Sequence, residues 1–379
     1  MIKILTYDQI DQQQWSELVQ SSPNATWFQT KEAYEFYAAV STELIPFAYG
    51  VEEYEDDEVS GIEEECKVEC VKCKGEENGK ADTPASTPYT LHPTPTLKGV
   101  IVGYITKEKN PIKQYFTRRA IIYGGPLLAE DATDEAVASL LKAVTITSRL
   151  SPFASRPIYI ESRNFHDYSR WKEVFKRAGF NYQPHLNFHV DTTQPWETIE
   201  NNIGKHRRKY IRLSLRDGAQ IVENPTIEQV RAFYPILQDL YRTKVRTPLW
   251  SWEFFERLYH TEHARYILVE LDDQIVGGTV CVCLPGKAVY EWYACGLDNC
   301  RDDIRPLSVA IWGEMQYAAE NGYPLFDFMG AGTPEQPYGV RDFKAEFGGE
   351  LVEHGRFLCI RKPLLYWIGK MGVKFLKRV

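Results

Sequence analysis

Apolar positions recur at helical spacing over Asp8–Gln20 and Lys31–Val40, and the pattern then changes to the short alternating runs of strands. Leu44–Tyr54, Leu97–Thr106 and Ala120–Tyr123 read as three strands. A helix is expected over Thr133–Arg149 and β-rich sequence at Pro157–Glu161. Asp167 opens and Gly179 closes a further helix, with Trp171, Val174, Phe175 and Ala178 at helical spacing. Tyr182–Val190 ends the series as a strand. The same order then returns without sequence identity. Helices are expected over Pro195–Arg216, Ile227–Arg242 and Trp252–His260, and a meander over Arg265–Leu271, Gln274–Leu284 and Ala288–Cys295. Pro306 and Asn321-Gly322 bracket a helix with Leu307, Ile311, Met315 and Ala318 on one face. Strand Leu325–Phe328, helix Gly339–Phe347 and strand Leu351–Ile360 complete the repeat. A strand–helix–strand step inside a meander implies a parallel crossover in a mainly antiparallel sheet. The chain therefore reads as two similar α/β domains in tandem, residues 1–183 and 184–360, followed by a tail, 361–379.

The length of 379 residues, 44% apolar and 13% aromatic, is enough for two such cores. The net charge of −8 narrows to one segment. Val51–Thr96 holds thirteen acids and four lysines, a net −9, so the rest of the chain carries +1. Residues 55–96 are also rich in Pro, Thr and Ser, a composition unable to offset chain entropy by burial, and read as a disordered insertion swelling one hairpin loop. Met1–Trp15 has no apolar core of a signal peptide and no run of 18 apolar residues occurs. Eight cysteines without an export signal are expected to be reduced thiols in a cytoplasmic protein.

Several phrases carry a resemblance. They are Phe28-Gln29, Arg118-Arg119-Ala120-Ile121-Ile122-Tyr123-Gly124-Gly125-Pro126, Ala178-Gly179-Phe180 with His185-Leu186, and Lys205–Arg212. In the second half they are Tyr293 with Gly296, Phe326-Asp327-Phe328-Met329-Gly330 and Phe343–Gly349. In this order they resemble the FemAB family of peptidoglycan-bridge aminoacyltransferases and related acetyltransferase domains, built on the GNAT fold. The resemblance implies an α/β (α+β) class with two tandem GNAT-like domains, each a mixed, mainly antiparallel sheet flanked by helices.

It assigns catalysis to Lys344 of the Phe343-Lys344 pair, since a cation beside a reacting carbonyl steadies the oxyanion of acyl transfer. Composition alone would make Lys344 a solvated surface lysine. Arg341 and Phe343 are expected beside it in substrate binding. Arg208 and Arg212, at i and i+4, share a face of the densest basic run and suit phosphate or carboxylate; a merely solvated face is the blander reading. The Tyr123-Gly124-Gly125 turn allows a close backbone approach to substrate, or is an ordinary turn. Tyr293 is placed on the groove side of its strand. Asp327, between aromatics, is a candidate general base if burial raises its pKa, though a cap on the Gly330-Ala331-Gly332 loop weighs more.

The expected reaction is transfer of an activated acyl or aminoacyl group to an amine of an anionic sugar-peptide or lipid-linked envelope precursor. The donor is either aminoacyl-tRNA or acyl-CoA, with no tightly bound cofactor. The stretch Cys300–Ser308 lacks the glycines that cradle a CoA pyrophosphate, and Asp302-Asp303 would repel one. The alternatives are a CoA-dependent N-acetyltransferase acting on an amino sugar, and a non-catalytic binding protein docking through the acidic insertion. Cys66, Cys70 and Cys73 have the spacing of an iron–sulfur motif in the wrong context, so no metal is expected. In the tail, Leu364, Ile368, Met371 and Phe375 line one face and Lys370, Lys374 and Lys377 another. That pattern implies either peripheral contact with the inner face of the cytoplasmic membrane or packing on the protein body.

Overall fold

A computed structural model describes residues 1–54, 95–108, 110–150, 156–298 and 300–376. Nearly all of the acidic insertion, with Cys66, Cys70 and Cys73, lies outside them. The chain opens with β1 (Ile2–Thr6), α1 (Gln12–Ser21) and α2 (Lys31–Ala39). The antiparallel pair β2 (Leu44–Glu53) and β3 (Thr96–Thr106) follows, so the hairpin flanking the insertion is present and Thr96 already belongs to its second strand. Then come α3 (Pro111–Thr117), β4 (Ala120–Tyr123), β5 (Leu127–Leu128), α4 (Asp134–Leu150), β6 (Tyr159–Arg163), α5 (Lys172–Arg177) and β7 (Asn181–Gln183).

The second series holds β8 (Leu186–Asp191), α6 (Trp196–Asn202), α7 (Lys205–Arg216), β9 (Gln220–Val222), α8 (Ile227–Leu240) and α9 (Trp252–Tyr259). It continues through β10 (Ala264–Leu271), β11 (Gln274–Leu284), β12 (Ala288–Gly296), α10 (Pro306–Glu320), β13 (Leu325–Asp327), α11 (Gly339–Ala345) and β14 (Glu350–Glu353). Last are β15 (Arg356–Ile360) and α12 (Pro363–Leu376). The helix expected over Pro195–Arg216 is broken at Ile203-Gly204, where Gly204 N–H bonds Glu346 O and turns the chain.

Among the described residues, each sheet contains one parallel pair. β4 pairs with β6 across α4, and β12 with β13 across α10. The remaining pairings are antiparallel, as the repeated pattern predicts. The first sheet runs β1-β2-β3-β4-β6-β15-β7 and the second β14-β8-β13-β12-β11-β10-β9.

The domain boundary differs from expectation. Tyr182–Val190 and Leu351–Ile360, each expected as one strand, are both cut and shared between sheets. β7 and β15 pair in the first sheet, while β8 and β14 pair in the second. The breaks fall at Pro184-His185 and His354-Gly355, which face each other, with Gly355 N–H bonding His185 O. Proline cannot donate to a ladder, and Gly355 has φ +64 with a position where a Cβ would lie 2.2 Å from the Tyr182 ring. β15 thus belongs to the first domain, where Phe357 stacks on Phe175 at 3.8 Å between centroids. The two halves are also fused by a common apolar core. Phe28 and Phe165 of the first meet Tyr290 and Trp292 of the second.

Candidate active site

β12 and β13 pair only from Ala288 to Tyr290, opposite Leu325–Asp327. A bulge lies just beyond. Val280 faces Tyr293 and Cys281 faces Glu291, which leaves Trp292 as the extra residue. It lets Tyr290, Trp292 and Tyr293 all pack in or against the interdomain core. Lys344 reaches from α11 to the end of this strand pair. Its Nζ donates to Phe328 O at 2.6 Å and Gly330 O at 3.2 Å, and pairs with Glu291 Oε1 at 3.1 Å. An ammonium has three N–H groups, and these contacts use all three.

Glu291 is buried and its Oε2 has no partner. Burial pushes its carboxyl up, the Lys344 ammonium pulls it back, and the net displacement is upward. Beside it on α10 lies Glu314, wholly buried, with neither oxygen partnered. Burial and then the Glu291 charge raise the Glu314 carboxyl well above the usual carboxylate range. Glu314 falls on the apolar face read for α10, between Ile311 and Ala318. An acid on such a face was the signal that sequence reasoning passed over.

Asp327 corrects an expectation. Burial alone would raise its pKa, but His189 Nε2 at 3.0 Å, Asn187 Nδ2 at 2.6 Å and Met329 N–H bring the net displacement downward. It is an ionised cap that holds the turn at Met329, whose φ is +56. A base committed to these donors has no reason to take a proton near neutral pH.

In the first domain, Tyr123 stands opposite Arg163 at the ends of the parallel pair. Arg163 Nη1 donates to Tyr123 Oη at 2.9 Å and its Nε to Glu161 Oε2 at 2.9 Å. Arg356, from β15, donates to the other oxygen of Glu161 at 2.8 Å. Burial raises the Glu161 carboxyl, and the two guanidiniums more than reverse it. Tyr104 lies 6.3 Å from Tyr123 between centroids, and Tyr241 6.1 Å from Tyr293. Burial raises the phenols of Tyr104, Tyr241 and Tyr293, so each remains a donor. The interface therefore presents a guanidinium amid tyrosine hydroxyls. Arg163 was not singled out from sequence; only its pairing with Tyr123 reveals it.

The other expected residues sit elsewhere. Gly124 and Gly125 have φ +77 and +78. Their carbonyls accept from Gln29 Nε2, and Tyr168 Oη donates to Gly124 O. A Cβ on Gly125 would come within 2.8 Å of the Tyr168 ring. The glycines make room for packing within the protein. A cavity of about 550 Å³ beside this turn is lined by first-domain residues such as Pro126, His166 and Trp171, apart from Lys344. Arg208 and Arg212 share a face of α7, but bond Glu200 and Asn201 of α6. Their neighbour Arg207 instead lies 4.3 Å over the Phe343 ring and pairs with Glu346 at 3.0 Å. Arg341 is spent on the carbonyls of Ala331, Thr333 and Gln336. In the stretch read against CoA, Arg301 grips Asp303 and the Asp217 carbonyl.

Residues 201–344 match the family model of the GNAT acetyltransferase domain. The crystal structure of FemX superposes with a TM-score of 0.62 at 15% identity, covering 97% of this chain and 99% of FemX. The chain shares the fold of FemX. A second neighbour is the C-terminal domain of an Agrobacterium fabrum protein assigned as a lysylphosphatidylglycerol synthetase. It has a TM-score of 0.50 and 14% identity, and covers 73% of this chain and 85% of that one. No curated protein matches the sequence. The matched stretch runs from the end of α6 to α11 in the second domain, and Lys344 is its last residue.

Proposed function

We propose that the protein is an N-acyltransferase that moves an activated acyl or aminoacyl group onto an amine of an anionic cell-envelope precursor. The carrying observation is Lys344, held by Glu291 across the gap where β12 and β13 part. In this reading the acceptor amine attacks the acyl carbonyl carbon. The C–N bond forms as the ester C–O bond breaks, and the amine proton leaves with the departing alcohol. Lys344 steadies the oxyanion by exchanging its longest hydrogen bond, that to Gly330 O, for the substrate oxygen. Arg163 with Tyr123 is the group suited to a phosphate or carboxylate of the acceptor.

An aminoacyl ester fits better than CoA as donor. The stretch before α10 has no glycine cradle and carries Asp302 and Asp303, and the helix start is pressed on the sheet. A Cβ on Gly296 would lie 2.7 Å from Leu307 N. The acetyltransferase name of the matched domain favours the CoA reading instead. Calorimetry decides between them, because micromolar affinity for CoA would move the assignment to an amino-sugar acetyltransferase. The reaction itself is tested with Lys344→Met, assayed by mass spectrometry for transfer from aminoacyl-tRNA to nucleotide- or lipid-linked muropeptides. Turnover should fall by roughly two orders of magnitude with folding intact. Near-normal turnover would remove Lys344 from the mechanism.

A further inference from the structure

α12 and α3 lie side by side at the end of the first sheet where β4 and β6 begin. Tyr366 anchors α12 inward on Tyr159 at 5.4 Å, and Lys362 Nζ lies 4.9 Å over Tyr115 of α3. What they turn outward is apolar. Leu364, Trp367, Ile368 and Met371 follow the i, i+3, i+4, i+7 spacing of one helix face and are exposed, Leu364 by 71%. Ile112 and Phe116, one turn apart on α3, are exposed as well, Ile112 by 72%. Scattered apolar residues need no partner, but six large ones on two adjoining helices do.

The charge says what kind. Residues 361–379 contain six cations and no acid, and residues 107–119 five cations and one acid. These two segments hold +10, against −18 for the remaining chain. At 14 residues α12 is about 21 Å long, and among the described residues no helix is long and apolar enough to cross a membrane. Apolar side chains, an aromatic and exposed cations such as Lys370 on a helix too short to span, with Lys113 exposed on α3 beside it, describe an element lying in a lipid interface. The strand face Tyr159, Glu161, Arg163 then leads about 13 Å from this platform to the Tyr123–Arg163 site.

We propose that α3 and α12 together form a docking face for a bilayer of anionic phospholipid. It gives the proposed lipid-linked acceptor a place to be met, but the binding does not depend on that reading. The test is co-sedimentation of the full chain with vesicles of equimolar phosphatidylglycerol and phosphatidylcholine, or of phosphatidylcholine alone. The protein should pellet with the first, much less with the second, and release at about 0.5 M salt. Leu364→Glu with Trp367→Glu should lower the bound fraction at least tenfold while leaving the melting temperature unchanged. Should that pair fail to fold, Lys113→Glu with Lys370→Glu reads the same face through its charge. Binding that ignores both pairs, or equal binding to both vesicles, overturns the proposal. So does a dimer in sedimentation velocity that the apolar pair abolishes, since the occupant is then a second copy. Such vesicles hold no acceptor or donor, so failure here leaves the transfer reading standing, and Lys344→Met should bind them normally.

Discussion

Glu291→Gln removes the negative charge beside Lys344 and leaves its size almost unchanged. The two groups lie 3.1 Å apart, with side chains only 11% and 4% exposed. At an effective dielectric near 20, that separation corresponds to about 5 kcal/mol of attraction before the cost of desolvating both ions. Breaking a buried pair from one side typically costs ~3–5 kcal/mol. The neutral amide would leave an ammonium facing two carbonyls, so a loss of about 3 kcal/mol is expected. Lys344→Met should cost less, about 1–2 kcal/mol, because burial already displaces Glu291 upward and without the ammonium it can take up a proton. The double variant has neither charge to strand. Urea unfolding of all four proteins closes a double-mutant cycle, with an expected coupling of ~2–3 kcal/mol. Additivity within about 0.5 kcal/mol would show that the pair does not act as a unit and would refute the account of what holds Lys344 in place.

Two buried histidines should make the protein acid-sensitive. Burial lowers His166 to about 4, and burial with Arg356 lowers His185 to about 3, where its Nε2 bonds the Arg356 guanidinium. Both titrate near 6.5 when unfolded, so the unfolded chain binds protons first and their contribution declines as pH falls through that value. His354, also lowered by burial, adds to this, while His189, Glu291 and Glu314 are displaced upward and oppose it. The change in melting temperature from pH 7 to pH 5 should therefore be more favourable in His166→Asn with His185→Asn than in the parent, and an equal change in both would contradict it. Phe357→Ala should cost ~3–5 kcal/mol, through loss of its stack on Phe175. In hydrogen exchange, the amides of β6 and β7 should lose protection before those of β10 and β11; the reverse order would mean that β15 does not hold the first sheet.

The element order was readable because its two periods, helical and alternating, come in the same sequence twice. What escaped were features set by tertiary pairing. Tyr182–Val190 looks continuous because Tyr182, Leu186, Phe188 and Val190 fall on one face, and Leu351–Ile360 because apolar residues stand at both its ends; that they change sheets depends on Pro184-His185 and His354-Gly355 facing one another. The phrase Phe343-Lys344 singles out Lys344, but its contacts with Glu291 and the Phe328 carbonyl depend on the fold, while Asp327 reads as a cap through the glycines after it. The roles expected of Arg208 and Arg212 were not borne by the geometry, since a basic run does not reveal that Glu200 lies within reach. Arg163 and Glu291 carry no local mark at all. Each matters because of a residue forty or more positions away in sequence.

The return of β15 to the first sheet also sets the order in which the protein can be made. The ribosome delivers β6 and β7 long before the strand that separates them. At elongation rates of about 5–20 residues per second, the 173 residues from Gln183 to Arg356 take roughly ten to thirty-five seconds. Throughout that interval the nascent first domain has an open slot at β6, flanked by the buried ring of Phe175, which has no stacking partner until Phe357 emerges. The second sheet waits as long, because its strand β14 ends at Glu353, three residues before β15 begins, so one short stretch of chain completes both sheets.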